Sequence, residues 1–171
     1  MKDEYDLKQL GKKPKKRINS RNKGNSFERK AAKILNEQFD TDEFSRTPGS
    51  GAFATTHKLP EHLKIYGDII TPEKFKYTIE CKKGYNKENL YSLFNYSSDL
   101  WKFIQQSEEE AEKSKKDPLL LFQQDRQSIL AITRKDIFPE EIDHVEFRNY
   151  RMYKFTDLLE LDLNYWFSEV W

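Results

Sequence analysis

The heptapeptide YTIECKK sets an acid and a base two positions apart, Glu80 and Lys82. In a strand, the period of two sends Thr78, Glu80 and Lys82 to one face and Ile79 and Cys81 to the other. Just upstream, GDII carries Asp68 into a mostly apolar run. Two antiparallel neighbours would then present Asp68 and Glu80 within reach of one ion. A hard divalent cation such as Mg²⁺, with Mn²⁺ as a substitute, takes oxygen ligands, and Asp68, Glu80 and the backbone carbonyl of Cys81 could supply them. Beside that ion, Lys82 could hold or help deprotonate an attacking water and offset charge growing on a phosphate. The set suits phosphodiester hydrolysis. Each member alone also has an ordinary reading. Glu-x-Lys on a strand is commonly a solvated face with a weak ion pair; Asp68 after Gly67 can be a turn acid, Cys81 a small core residue and His57 a loop residue.

The elements that must position these groups follow from apolar spacing. Asn25 or Ser26 can cap a helix reaching about Phe39, with Phe27, Ala31, Ile34, Leu35 and Phe39 as its apolar stripe and Glu28 in its first turn. FSRTPGSGAFATTHKLP reads as strand edge and loop, turned by Pro48, Gly49 and Gly51. Short strands are expected at residues 66–70 and 76–81, separated by a turn at Pro72. A helical region spans about 90–116, with a break near 95–99, and Pro118 helps end it. Strands at 119–123 and 128–133 could form a hairpin or join one sheet separately. A strand at 151–155 and an aromatic, acidic helix from 156 onward complete the chain. This order predicts an α/β fold, a mixed sheet with helices packed against it.

A chain of 171 residues accommodates one domain with a real core. The expected division is a flexible basic arm over 1–24 and a single catalytic domain over 25–171. The formal charge of +1 hides an uneven distribution. Residues 1–33 hold twelve Lys or Arg against four Asp or Glu, whereas residues 136–171 hold three against nine. The arm's Lys12, Lys13, Lys15, Lys16, Arg17, Arg21 and Lys23 could follow a phosphate backbone or merely solubilise the chain. The lone Cys81 cannot form an internal disulfide, and three His are few for a structural zinc site. With no bilayer-length apolar run and no signal-like start, a cytoplasmic or nucleoid-associated setting is expected. Twelve Phe, nine Tyr and three Trp argue against disorder along the whole chain.

Taken in order, a helix acid, an Arg and Gly-rich loop, a lone Asp and Glu-x-Lys resemble the signature of the PD-(D/E)xK nuclease superfamily. More narrowly, GNSFERKAAKIL, FSRTPGSGA, GDII and IECKK, spread over residues 22–84, are similar to archaeal-type Holliday junction resolvases and related phage enzymes. The resemblance implies a restriction-endonuclease-like central mixed β-sheet flanked by helices and a Mg²⁺-dependent endodeoxyribonuclease. It implies catalytic roles for Glu28, Asp68, Glu80 and Lys82, with Asp68 and Glu80 as metal ligands and Glu28 as the helix carboxylate near the metals. Arg46 and Ser50 would engage phosphate beside the cut; an Arg fork and close-approaching glycines suit that task. Two features depart from the pattern: Gly67 replaces the Pro before the first acid, and residues 51–65 lengthen the following loop.

The expected substrate is DNA, branched and four-way, cut by paired nicks from a homodimer. A phage-encoded protein acting in the host cytoplasm fits the same likeness. A restriction-, replication- or packaging-associated endonuclease acting on duplex or flaps is the alternative within the same chemistry. A catalytically silent nucleic-acid-binding protein is the alternative outside it. The terminal YWFSEVW could pack on the sheet, pair two chains or bind a partner.

Overall fold

The computed structural model describes residues 20–48 and 66–168. Helix α1 (Ser20–Phe39) leads into the short β1 (Ser45–Arg46), which pairs antiparallel with β2 (Ile69–Ile70). Next come β3 (Tyr77–Lys83), a 3₁₀ turn (Leu90–Leu93) and helix α2 (Asp99–Ser114). Strands β4 (Asp117–Gln123), β5 (Leu130–Arg134), β6 (His144–Phe147) and β7 (Tyr150–Lys154) follow, then the short helices α3 (Phe155–Leu159) and α4 (Leu163–Trp166). The main sheet has five strands in the order β3-β4-β5-β7-β6. Strands β3 and β4 run parallel, connected through α2, and the remaining pairs are antiparallel. This is the mixed α/β sheet flanked by helices that the element order predicts, consistent with a restriction-endonuclease-like architecture.

Alternation along the strands divides the core into two clusters. Ile79 and Cys81 of β3, Leu119 and Leu121 of β4, and Ala131 and Tyr153 pack with Phe27, Ala31 and Leu35 of α1 and with Trp166. Leu120, Phe122 and Ile132 face the other way, onto Leu100, Trp101, Phe103 and Ile104 of α2. The side of β3 not paired with β4 is therefore an open sheet edge, the place where a catalytic loop can attach.

Several boundaries differ from the sequence reading. Helix α1 already includes Ser20, ahead of the expected Asn25, so Arg21 and Lys23 are helical rather than part of an arm. The extra turn is anchored by Lys23, whose ammonium pairs with Asp125 at 2.9 Å. The strand expected at 66–70 shortens to Ile69–Ile70 because Gly67 takes a left-handed φ of +76°. Strands β4 and β5 do form a hairpin. Strand β6, not foreseen, is a short edge strand with Val145 and Glu146 exposed, so it carries little hydrophobic signal.

The helix expected from 156 onward breaks in two at Asp162, whose extended ψ of 149° redirects the chain. That bend drives Trp166 to zero exposure among Phe75, Tyr77, Phe138 and Phe155. The aromatic ending thus completes the core of its own chain. Two of its acidic neighbours also act internally: Glu140 and Glu146 bind the buried guanidinium of Arg151 at 2.6 and 2.9 Å.

Candidate active site

Asp68 reaches the site by meeting the open edge of β3, although β2 forms no ladder with β3. Its N–H donates to the carbonyl of Ile79 at 2.8 Å, and its carboxylate Oδ2 accepts the N–H of Cys81 at 2.9 Å. The carboxylate itself thus satisfies a backbone donor of the sheet edge, which fixes it opposite Glu80. Gly67 permits this approach. A Cβ there would lie 2.7 Å from the Ile79 carbonyl oxygen, and the positive φ disfavours any L side chain. This is the physical reason glycine stands where the resembling motif has proline. The predicted convergence of Asp68 and Glu80 holds, while the antiparallel pairing expected to produce it is replaced by this bridge.

Glu80 and Lys82 lie on the same face of β3, as the period of two requires, and their side chains form an ion pair. Glu80 is 2% exposed. Burial, reinforced by the nearby Asp68 charge, pushes its pKa up to about 7 despite the Lys82 ammonium. Burial works against the Lys82 charge, yet Glu80 and Asp68 together outweigh it and hold the ammonium above its ordinary range. Its Nζ also sits 5.3 Å from the centroid of the Phe103 ring. Cys81 is fully buried with its thiol pushed up by burial, so its side chain is core and only its backbone faces the chemistry.

Helix α1 contributes Glu28 from its inner face, one turn before Ala31 and Ala32 and 6% exposed. Burial and the Asp68 charge raise its pKa, partly offset by Arg46. Arg46 donates from Nε to Glu28 at 2.5 Å and from NH2 to the Asn25 side-chain oxygen at 2.9 Å. Asn36 fixes the start of this arm of the site, exchanging two 2.9 Å hydrogen bonds with the backbone of Phe44. Arg46 was expected at phosphate; in the structure its guanidinium pairs with the Glu28 carboxylate of the same cleft.

Glu28, Asp68, Glu80, Cys81 and Lys82 line one open cleft of about 590 Å³. Lys23, Lys83, Asn86, Gln106 and Asp125 share its walls. Sequence reasoning passed over Lys83, Asn86, Gln106 and Asp125. Only Lys83, adjacent to the motif, had a local signal; the others come from distant turns and from α2. Lys12, Lys13, Lys15, Lys16, Arg17 and Ser50 lie outside the described residues.

The donor chemistry fits a hard cation: Asp68 and Glu80 offer buried carboxylate oxygens, their proximity raises the cost of ionising Glu80, and a divalent ion would relieve that cost. Among the described residues no group of three His, Cys, Asp or Glu side chains is arranged to hold an ion together. Two carboxylates, a backbone carbonyl and water would therefore have to form the coordination shell.

A mixed sheet whose edge strand carries Glu-x-Lys, with an Asp delivered to that edge and a helix Glu behind it, defines a nuclease of the PD-(D/E)xK class. The chain belongs to the family described as "Phage putative PDDEXK endonuclease", whose model matches residues 19–166. It is also similar to Protein D14 of Escherichia phage T5, at 37% identity over 126 residues, covering 70% of this chain and 74% of that protein. No solved structure matches the chain significantly.

Proposed function

We propose that the protein is a Mg²⁺-dependent endodeoxyribonuclease that selects DNA by structure and resolves four-way junctions by paired nicks from a homodimer. The observation that carries this reading is the convergence of Glu28, Asp68, Glu80 and Lys82 in one open cleft. Asp68, Glu80 and the Cys81 carbonyl would hold the ion, with Glu28 behind them. When bound, Mg²⁺ supplies Lewis-acid polarisation of the phosphate and a more acidic water.

The chain's own groups do the rest. With a cation held by Glu80, the Lys82 ammonium would be freed from its ion pair with that carboxylate to hold the attacking water or the phosphate oxygen that gains charge. In the hydrolysis, the water oxygen bonds to phosphorus and the phosphorus–sugar-oxygen bond breaks. The departing oxygen keeps the electron pair and takes a proton from solvent water, while the proton lost by the attacking water passes to solvent. Arg46, by bridging Glu28 and Asn25, keeps the helix carboxylate aimed into the cleft. The acid-poor amino-terminal segment supplies backbone attraction.

The test is cleavage of a four-way junction with each strand labelled in turn, beside a flap and a linear duplex of matched sequence. Symmetric nicks in opposed strands of the junction are expected. Equal rates on all three substrates would replace the resolvase reading with a duplex- or flap-cutting endonuclease. No cutting of any of them with Mg²⁺ or Mn²⁺ would leave a DNA-binding protein without catalysis.

A further inference from the structure

Immediately beyond the cleft the chain displays an unusual surface. Leu90, Tyr91, Phe94 and Tyr96 are 71%, 83%, 78% and 57% exposed, the four most exposed large hydrophobic side chains among the described residues. This is no frayed loop. The Asn89 side chain accepts the N–H of Tyr91 at 2.9 Å, and Ser92 Oγ accepts the N–H of Asn89 at 3.1 Å, a reciprocal cap on the 3₁₀ turn. From beneath, Trp101 Nε1 donates to the Leu93 carbonyl at 3.1 Å, and Ser98 donates to the Ser92 carbonyl at 3.1 Å. Buried Leu93 pins the turn to the core. In a helix of three residues per turn, positions three apart share a side, so Tyr91 and Phe94 are presented together. The fold thus holds rigid rings out in water, where burial would otherwise stabilise each by roughly 2 kcal/mol.

The patch follows the cleft-lining residues Tyr85 and Asn86 directly in the chain. Tyr85 lines that cleft and meets Phe103 edge-on at 4.5 Å, and Phe103 lies under Lys82. Gln124 ties the intervening loop down by donating to the carbonyls of Tyr85 and Glu88. Acids near the rings are engaged: Asp99 pairs with Lys102 at 3.0 Å and Glu146 with Arg151 at 2.9 Å. Between residues 85 and 97 the only acid is Glu88, and it is half-buried with its carboxylate toward the N–H of Leu100 at 3.3 Å. Lys87 is exposed in the same stretch, and the Arg148 guanidinium stacks 3.9 Å from the centroid of Tyr96. Exposed rings interleaved with amides and cations, with the neighbouring Asp99 and Glu146 paired to Lys102 and Arg151, match a polyanion carrying flat π-faces.

We infer that the segment from Leu90 to Tyr96 is a stacking platform for unpaired or unstacked DNA bases, receiving the strand as it leaves the cleft at a branch. The assignment rests on the nuclease reading for its substrate and sharpens it: the preferred DNA has bases freed from the duplex beside the cut.

The test compares the wild type with the double variant Tyr91→Ala/Phe94→Ala. Both side chains are exposed and outside the catalytic set, so the fold and the nicking of blunt duplex should be unchanged. Affinity is read in metal-free buffer, where nothing is cut, for a blunt duplex, the same duplex with a single-stranded tail, and a four-way junction. The variant should lose about tenfold or more on the tailed and branched DNA, the scale of one lost base stack, and less than twofold on the blunt duplex. Tyr91→Phe/Phe94→Tyr, which keeps both rings, should bind like wild type. Equal losses on all three substrates, or no loss on any, would overturn the platform. So would a change of the wild-type mass in solution from dimer to monomer in the alanine variant, which would mark the patch as a contact between copies. If the wild type cuts no DNA with Mg²⁺, the nuclease reading fails, and the metal-free affinity ratios still decide the platform.

Discussion

The cost of keeping Glu80 charged gives the sharpest prediction. In the metal-free protein its pKa rises from 4.5 to about 7, which corresponds to roughly 3 kcal/mol of differential stabilisation of the neutral form. For an acid whose folded pKa is raised, the folded state binds more protons than the unfolded state between the two values, so stability falls as pH rises through that window. Below about pH 4.5 Glu80 is neutral in both states and no penalty applies. Above about pH 7 the penalty is complete. Glu80→Gln removes the ionisation and leaves an amide oxygen that can still accept from Lys82. Without metal, the variant should match the wild type near pH 4.5, and its advantage should grow with pH to at most roughly 3 kcal/mol by pH 8. The assay is urea unfolding in EDTA across that range. Millimolar Mg²⁺ should stabilise the wild type at pH 8 and leave the variant unaffected, while phosphodiester cleavage is lost in the variant. A variant less stable than wild type by the same amount at every pH would refute the argument, because the burial penalty on Glu80 would then not exist.

Other consequences can be checked alongside. Gly67→Ala should lose about 2 kcal/mol or more together with cleavage, since the new Cβ would strike the Ile79 carbonyl in a left-handed backbone; wild-type stability in denaturant would contradict this. Asp125→Asn removes the partner that holds Lys23, so DNA affinity should rise and the logarithmic salt slope steepen by about one; an unchanged slope in a salt titration would show that Lys23 stays unavailable to phosphate. Trp166→Ala should cost about 3–5 kcal/mol, and removal of residues 156–171 should unfold the protein rather than yield an active monomer. Calorimetry and sedimentation together separate those outcomes.

The Glu-x-Lys motif was legible because strand periodicity is local. Glu80 and Lys82 share a face by alternation alone, and the apolar stripe of α1 places Glu28 beside buried positions. The break between the 3₁₀ turn and α2 was equally visible in the run of Asn and Ser from Asn95 to Ser98. Where the reading failed, distant groups decided the matter. Lys23 near the start of α1 pairs with Asp125, about a hundred positions away, and the last helix divides where Trp166 turns into the aromatic core.

The sequence by itself therefore determined the chemistry on offer: oxygen donors, an ammonium beside them, a basic amino terminus and enough aromatic surface for one core. These follow from residue type and from periods of two and about 3.6, which need no knowledge of partners. Only the tertiary structure decided how those groups meet. It attached Asp68 to the free edge of β3 through one backbone and one carboxylate hydrogen bond, turned Arg46 onto Glu28, and held Tyr91 and Phe94 out in water. Such contacts join segments far apart in the chain, and their energies depend on burial and on neighbouring charge, quantities that exist only once the sheet and its two helical layers have closed around them.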